Sequence, residues 1–334
     1  MIIKSIKLTN FRNHADYYLD CNPDTTLILG KNGCGKTSVL EAIYIATRGK
    51  SFRATDPDII KHGAKFYRIE LKTDTGEQIT VTYDGANKAY LIMDKKTRRL
   101  PKAHKYPTIL FQPSDLNLVS GSPSRHREYF DHFFSGLSEE YSQLLSRYNK
   151  ALRQRNEILK SEHTAPASLF SWNILLAKYG TKLNQYRQTF TTDINQHLTD
   201  TYASIADNQD IINLFYQTEV DYDENSYLNT LERNFQKDLC VGHTTFGIHK
   251  DDFEFEFNHN PADGSASRGE SRSIILALKF IEANMIINEL NQKPIILLDD
   301  VFSELDDTRR KCLVDNFKNH QVIITSVEDF THSH

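Results

Sequence analysis

The sequence predicts an α/β protein in which both ends of the chain build one nucleotide-bearing head and the middle forms an inserted helical arm. Three observations carry that expectation. The stretch Gly30-Lys31-Asn32-Gly33-Cys34-Gly35-Lys36-Thr37 fits the phosphate-loop pattern G-x-x-x-x-G-K-[ST] at every fixed position, and it lies between an apolar run at 27–29 and a helical run at 38–46. Far along the chain, Ile295-Ile296-Leu297-Leu298 has the character of a fully buried strand and ends in two carboxylates, Asp299 and Asp300. Between these segments the apolar period changes from two to about 3.6.

The phosphate loop dictates the first element. A strand delivers the chain to a turn in which Gly30, Gly33 and Gly35 permit close backbone approach, so that main-chain amides face an anion. Lys36 opens the following helix within reach of β- and γ-phosphate oxygens. The Thr37 hydroxyl is placed to ligate a magnesium ion bridging them, and Ser38 continues the helix. The carboxylates complete such a site: Asp299 holds magnesium through water, and Asp300, one residue further, orients or deprotonates an attacking water.

Around that core the chain reads in order. Ile2, Ile6 and Leu8 lie around Lys4 and Lys7 in the pattern of a half-buried strand, a turn follows at 10–14, and a second strand is expected at 17–19. Antiparallel strands are expected at 68–71 and 78–83, and a short apolar strand at 106–111, ending at Gln112. Apolar residues then recur at Tyr141, Leu144, Tyr148, Leu152 and Leu159, and again at Trp172, Leu176, Tyr179, Leu183, Tyr186, Phe190, Ile194 and Leu198. These spacings mark two long amphipathic helices that pack as a coiled-coil-like arm, separated by a break at 161–168. An acidic loop is expected at 221–225. Phe253, Phe255 and Phe257 alternate with acids as a strand, which suggests that the chain has returned to the head. A turn-rich link at 258–265, a deeply buried helix at 274–290 and a last strand at 322–325 complete the order. The expected division is a discontinuous head, 1–117 and 241–334, with the arm at 118–240.

Composition narrows the class. Hydrophobic residues make up 39% and charged ones 25%, with no apolar run of about 18 residues that would span a bilayer. The first residues lack a basic region followed by an apolar core, so the expected compartment is the cytoplasm. Cys21, Cys34, Cys240 and Cys312 form no C-x-x-C pair, which argues against a zinc site and a disulfide framework. The net charge of −4 conceals an asymmetry: residues 1–110 carry 19 cations against 11 acids, whereas both later thirds are acidic. A positive face in the first third would attract polyanions, and the candidates are Lys50, Arg53, Lys65, Lys95, Lys96, Arg98 and Arg99. The competing reading makes the run at 95–99 a solvated hairpin tip.

These motifs together resemble the RecF family of bacterial recombination-repair ATPases, whose ABC-type head is related to the SMC proteins. The resemblance runs over almost the whole chain. It rests on Asn10-Phe11-Arg12-Asn13, the phosphate loop with Val39-Leu40-Glu41-Ala42-Ile43, Gly49-Lys50-Ser51-Phe52-Arg53, Gly121-Ser122-Pro123, Arg153-Gln154-Arg155-Asn156, His249-Lys250-Asp251-Asp252 and Leu298-Asp299-Asp300-Val301-Phe302-Ser303-Glu304-Leu305-Asp306. It implies that Arg12 and Asn13 contact nucleotide and that Gln112 senses magnesium and the γ-phosphate. It also implies that Ser267-Arg268-Gly269-Glu270 is the ABC signature, acting on ATP held by a second copy, with Ser303, Glu304, Leu305 and Asp306 along the same dimer seam. Expected partners are gapped or junction DNA, a second copy of the chain, and RecO- and RecR-type proteins. Departures accompany the match. Glu270 stands where glutamine is usual, Arg268 where Gln or Gly is usual, Lys250 where arginine is usual and Cys34 in place of serine. Thr325 occupies the place where many ABC ATPases carry a histidine, which implies slow hydrolysis. Two rival readings remain: the ATP-hydrolysing subunit of a transporter, against which the long interval between Gln112 and Ser267 counts, and a DNA clamp that uses ATP only structurally.

Overall fold

Ile6 and Leu8 are fully buried on either side of the exposed Lys7. The expected strand forms with one face in the core, and an irregularity in its pairing between Ile3 and Ser5 breaks the alternation there, so that Ser5 and Ile6 are buried in succession. The computed structural model describes residues 1–161, 165–219 and 223–327, so the expected break at 161–168 and acidic loop at 221–225 fall partly outside the described residues. Along the first part of the chain lie β1 (Ile3–Phe11), β2 (His14–Asp20), β3 (Thr25–Leu29), α1 (Lys36–Arg48), the single turn α2 (Asp56–Ile59), β4 (Tyr67–Thr73), β5 (Gln78–Tyr83), β6 (Lys88–Ile92), β7 (Lys95–Thr97) and β8 (Thr108–Phe111). The middle holds α3 (Pro123–Leu137), α4 (Glu139–Leu159), α5 (Pro166–Ala206), β9 (Ile212–Gln217), α6 (Glu224–Arg233), α7 (Phe235–Val241), β10 (Asp252–Phe257), β11 (Asn260–Pro261), the short α8 (Ala262–Ser265) and α9 (Arg268–Leu290). The last part holds β12 (Ile295–Asp299), α10 (Asp307–Phe317) and β13 (Val322–Ser326).

The chain divides into two compact units, one of residues 1–115 with 282–334 and the other of residues 116–281. The first unit contains two sheets. An antiparallel sheet runs in the order β2-β1-β4-β5-β6-β7, and a parallel one in the order β3-β13-β12-β8. Helix α1 is buried at 11 of its 13 residues, as a helix apolar on nearly every side must be. Its Val39, Leu40, Ile43 and Ile45 share one core with Ile6 and Leu8 of β1, Ile69 and Leu71 of β4, and Leu297 and Ile323 of the parallel sheet. It stops at Gly49, whose φ of 87° lets its amide close on the Ile45 carbonyl. The parallel register sets Leu298 beside Ile324 and Phe111, and Thr325 beside Ile28 and Asp299. The carboxyl ends of β3, β12, β13 and β8 thus form one rim that carries the phosphate loop, both strand-end acids and Gln112.

The second unit corrects the expected domain boundary. Residues 241–281, assigned on sequence to the head, group with the helices. For β10 the reason is its pairing: Phe253, Phe255 and Phe257 do alternate inward, but its hydrogen-bonding partners are β9 and β11, in a three-stranded sheet that belongs to this unit, while α9 runs on across the boundary at 281. The insert therefore carries its own sheet. The long helices bury the expected Tyr141, Leu144, Tyr148, Leu176, Leu183, Ile194 and Leu198, together with polar groups that periodicity does not reveal. Arg155, fully buried, donates from Nη1 to Asp238 Oδ2 at 2.8 Å and to Thr244 Oγ1 at 2.7 Å, and from Nε to Asn173 Oδ1 at 2.7 Å. Arg187 is likewise buried and donates to Asp131 and to the Ile248 carbonyl, each at 2.8 Å. Pro166, read as part of the break, occupies the first turn of α5, where its missing amide proton costs nothing. No helix among the described residues is long and apolar enough to cross a membrane.

Candidate nucleotide site

Strand β3 ends at Leu29 and the chain turns through the phosphate loop into α1. Gly33 and Gly35 have φ of 83° and 102°, a region that side chains disfavour. Gly35 is constrained by contact as well, since a Cβ there would lie 2.4 Å from Asn13 Oδ1 and 2.5 Å from His14 Nε2. The turn after β1 is thus pressed on the loop: Asn13 Nδ2 donates to the Gly33 carbonyl at 3.2 Å, and His14 Nε2 lies 3.1 Å from the Gly35 carbonyl. No acid occupies the first turn of α1, which leaves the positive end of its dipole to an external anion. Lys36, 8% exposed, donates from Nζ to the carbonyls of Gly30 at 2.5 Å and Lys31 at 3.2 Å.

The acid strand meets the loop directly. Thr37 Oγ1 donates to Asp299 Oδ1 at 2.7 Å across 262 residues of sequence. Thr325 Oγ1, at the end of the strand between them, donates to the same oxygen at 2.9 Å. Asp299 Oδ2 takes no hydrogen bond among the described residues. This donor set fits a magnesium ion, which characteristically combines one or two carboxylates with substrate phosphates and water. Asp300 adopts a left-handed conformation, φ 52° and ψ 27°, with its amide on Thr325 Oγ1 at 3.0 Å. Burial pushes its carboxyl above the usual range; the charge of Lys36 pulls it down, and Asp299 and Glu304 push it up.

A cleft of about 640 Å³ opens over these groups, lined by the loop, Arg12, Asn13, Arg53, Asp58, Lys61, His62, Asp299 and Asp300. Its far wall is organised by Glu41, which the sequence does not single out as a site residue. Arg12, itself at φ 56°, clasps this carboxylate from Nε at 2.9 Å and Nη2 at 2.7 Å. Arg53 adds bonds from Nε at 3.1 Å and Nη2 at 2.9 Å, and Ser51 Oγ adds one at 2.6 Å. Burial raises the Glu41 carboxyl, but the hydrogen bonds of Arg12, Arg53 and Ser51 outweigh it and hold the group below its usual range. A signal is nonetheless present in the sequence: one acid inside Val39-Leu40-Glu41-Ala42-Ile43 has to be buried with a partner. Arg53, expected on a DNA-facing loop, lies in this cleft and reaches Ser38 Oγ at 3.3 Å. Of the other residues assigned to DNA, Lys50, Lys65, Lys95, Lys96, Arg98 and Arg99 are exposed.

Not every expected site residue lies in the cleft. Gln112 follows β8 and sits on the same rim without lining the cleft. Cys34 is exposed, and its sulfur lies 2.6 Å from where a Cβ on Gly30 would be. Ser303 donates from Oγ to the Asp300 carbonyl at 2.7 Å, within the 3-10 turn Val301–Glu304. Leu305 is buried, and Asp306 caps α10 by accepting from the Arg309 amide at 2.9 Å. In the second unit, Ser267 and Glu270 form a reciprocal cap at the start of α9. The Ser267 amide donates to Glu270 Oε2 at 2.6 Å, and the Glu270 amide donates to Ser267 Oγ at 3.3 Å. Arg268 and Gly269 lie between them in the first turn, Arg268 exposed.

A phosphate loop joined to a carboxylate-tipped parallel strand, in a unit that also holds an antiparallel sheet and is interrupted in sequence by a largely helical insert, is the arrangement of the ABC-type heads. Residues 2–333 match the profile of the RecF/RecN/SMC N terminal domain. The chain is 33% identical to the DNA replication and repair protein RecF of Clostridioides difficile (strain 630), with 98% of this chain and 92% of that protein covered. Its fold matches a solved structure described as the recombination mediator protein RecF-ATPrS in the RecFOR pathway, with TM-score 0.87, 27% identity, and 98% and 93% of the two chains covered. A Pyrococcus furiosus Smc head domain shares the fold at TM-score 0.52 and 15% identity, over 98% of this chain and 90% of that one. The chain belongs to the RecF family.

Proposed function

We propose that this chain is an ATP-controlled DNA-binding protein of recombinational repair, in which ATP draws two copies together on DNA and slow, DNA-stimulated hydrolysis releases them. The observation that carries the reading is the 2.7 Å bond between Thr37 and Asp299, which brings the phosphate loop against the acid strand and supports a shared magnesium-nucleotide site. The named relatives support the setting: two similar solved structures are described as the recombination mediator protein RecF-ATP and RecF-ATPrS in the RecFOR pathway. Gapped or junction DNA and RecO- and RecR-type proteins are the corresponding partners, and the cytoplasm the corresponding compartment.

On this reading the loop amides, Lys36 and Arg12 bind the triphosphate, with Asn13 beside the loop and Gln112 on the rim. Thr37 and Asp299 would hold a magnesium ion, which when bound would neutralise charge on the phosphates. Asp300 accepts a proton from water as the water oxygen bonds to the γ-phosphorus and the bond to the ADP oxygen breaks. Ser267, Arg268, Gly269 and Glu270 act on the nucleotide of the second copy, with residues 303–306 at the seam. Sedimentation with and without ATP and magnesium, alongside phosphate release with and without duplex DNA, tests the reading. A nucleotide-dependent dimer and DNA-stimulated release are expected. A monomer under all conditions that binds DNA equally well without ATP overturns it.

A further inference from the structure

Strand β13 lies between the phosphate-loop strand β3 and the acid strand β12, and its penultimate residue, Thr325, faces both catalytic acids. The side chain has no accessible surface, so nothing but its neighbours uses the hydroxyl. That hydroxyl has one proton and can accept in return. The proton goes to Asp299 Oδ1 at 2.9 Å, in preference to the Leu298 carbonyl at 3.4 Å, because a carboxylate is the stronger and nearer acceptor. The oxygen accepts the Asp300 amide at 3.0 Å.

We propose that Thr325 is a positioning residue for hydrolysis, its single hydroxyl clipping Asp299 and Asp300 into the orientations that their separate tasks require. The inference rests on the reading of those acids given above. Thr37 and Thr325 both bond Oδ1, which fixes the carboxylate plane and leaves Oδ2 for the water shell of a divalent ion. A single bond from Thr37 would still allow the plane to turn. The same oxygen takes the nearer share of the amide of Asp300, at 3.0 Å against 3.2 Å to the Thr325 carbonyl, and so helps to fix where the carboxylate of this non-glycine residue at positive φ leaves the backbone. Groups that orient a metal ligand from behind typically matter by about 10–100-fold in metal affinity or activity.

The test compares Thr325→Val, which keeps the shape and removes the hydroxyl, with Thr325→Ser, which keeps the hydroxyl. Two readouts are taken on the full chain: ATP turnover split into kcat and KM, and the magnesium concentration at which a fluorescent ATP analogue binds. Thr325→Val is expected to lower kcat about tenfold or more with KM within about twofold, and to raise the magnesium requirement about tenfold. Thr325→Ser should restore both. A valine variant with wild-type kcat and magnesium requirement overturns the proposal, as does a serine variant no better than valine, which would make the methyl group the part that matters. Wild-type protein that binds nucleotide without hydrolysing it would sink the assigned function instead, while the magnesium titration would still decide the role of Thr325.

Discussion

Glu41 has no accessible surface, yet it faces two guanidinium groups and a hydroxyl. A buried carboxylate survives only when its charge is matched, and removing one partner of such a cluster leaves the others stranded. Glu41→Ala is therefore expected to cost about 3 kcal/mol or more in urea denaturation. It should also weaken ATP binding, because Arg12 and Arg53 lose the group that aims them into the cleft. Unchanged stability would mean that both arginines find solvent at no cost. Asp300 yields a pH prediction. Burial and the nearby charges of Asp299 and Glu304 hold its pKa high against Lys36, and a base works only when deprotonated. Turnover should thus be full above that raised pKa and fall as pH drops through it, with a midpoint above the ~3.9 of an ordinary aspartate. Asp300→Asn should bind ATP and lack turnover at every pH; a normal profile in that variant would move the base elsewhere. At this scale the loop and the two acids are legible in the sequence because their spacing is a pattern. Thr325 reads there only as a missing histidine, and its two bonds emerge once strand order places β13 between β3 and β12.

The elements are legible where one period rules. Helix α1, β1, β12 and β13 follow from apolar runs and their punctuation, as do the long helices α4 and α5. Misreadings come from pairing: nothing in Phe253-Glu254-Phe255 says which strand will accept its hydrogen bonds, and β9 as partner puts β10 in the second unit and out of the head. The basic run at 95–99 poses a similar question. Lys95 and Lys96 lie on β7, which pairs with β6 directly after the turn at 93–94 and forms one edge of the six-stranded sheet, and Arg98 and Arg99 follow it. Lysines on an edge strand discourage pairing with another chain, whereas lysines on a DNA face release counterions. Replacing Lys95, Lys96, Arg98 and Arg99 with alanine separates the two. If they bind DNA, the slope of log affinity against log salt should flatten by about 0.9 for each phosphate that the variant no longer neutralises, equally for all duplex sequences. Wild-type affinity and slope, with concentration-dependent light scattering, would make the run edge protection and leave Lys50 and Lys65 as the exposed candidates.

On the proposed reading the working molecule is two chains joined by nucleotide, and the signature segment decides how firmly. A carboxylate offered to a γ-phosphate repels it, so Glu270 in place of the usual glutamine looks like a defect when read as sequence. Its geometry suggests a second role. Glu270 Oε2 is held 2.6 Å from the Ser267 amide in a reciprocal cap, so the charge is partly spent on the end of its own helix. Glutamine can make the same cap, since its carbonyl oxygen accepts as the carboxylate does. Glu270→Gln should therefore keep α9 intact and remove only the charge. The ATP-dependent dimer is then expected to tighten by about five- to tenfold, roughly 1–1.4 kcal/mol, with its salt dependence reduced. Glu270→Ala serves as the control, because it removes charge and cap together and exposes the α9 terminus to a loss of about 1 kcal/mol. Sedimentation across a protein concentration series with ATP reads all three proteins. If the glutamine variant dimerises like wild type and alanine is weaker, the cap is what matters and the carboxylate never meets the partner's phosphate. If both variants tighten alike, the charge alone governs assembly and Ser267 needs no help in holding the helix end.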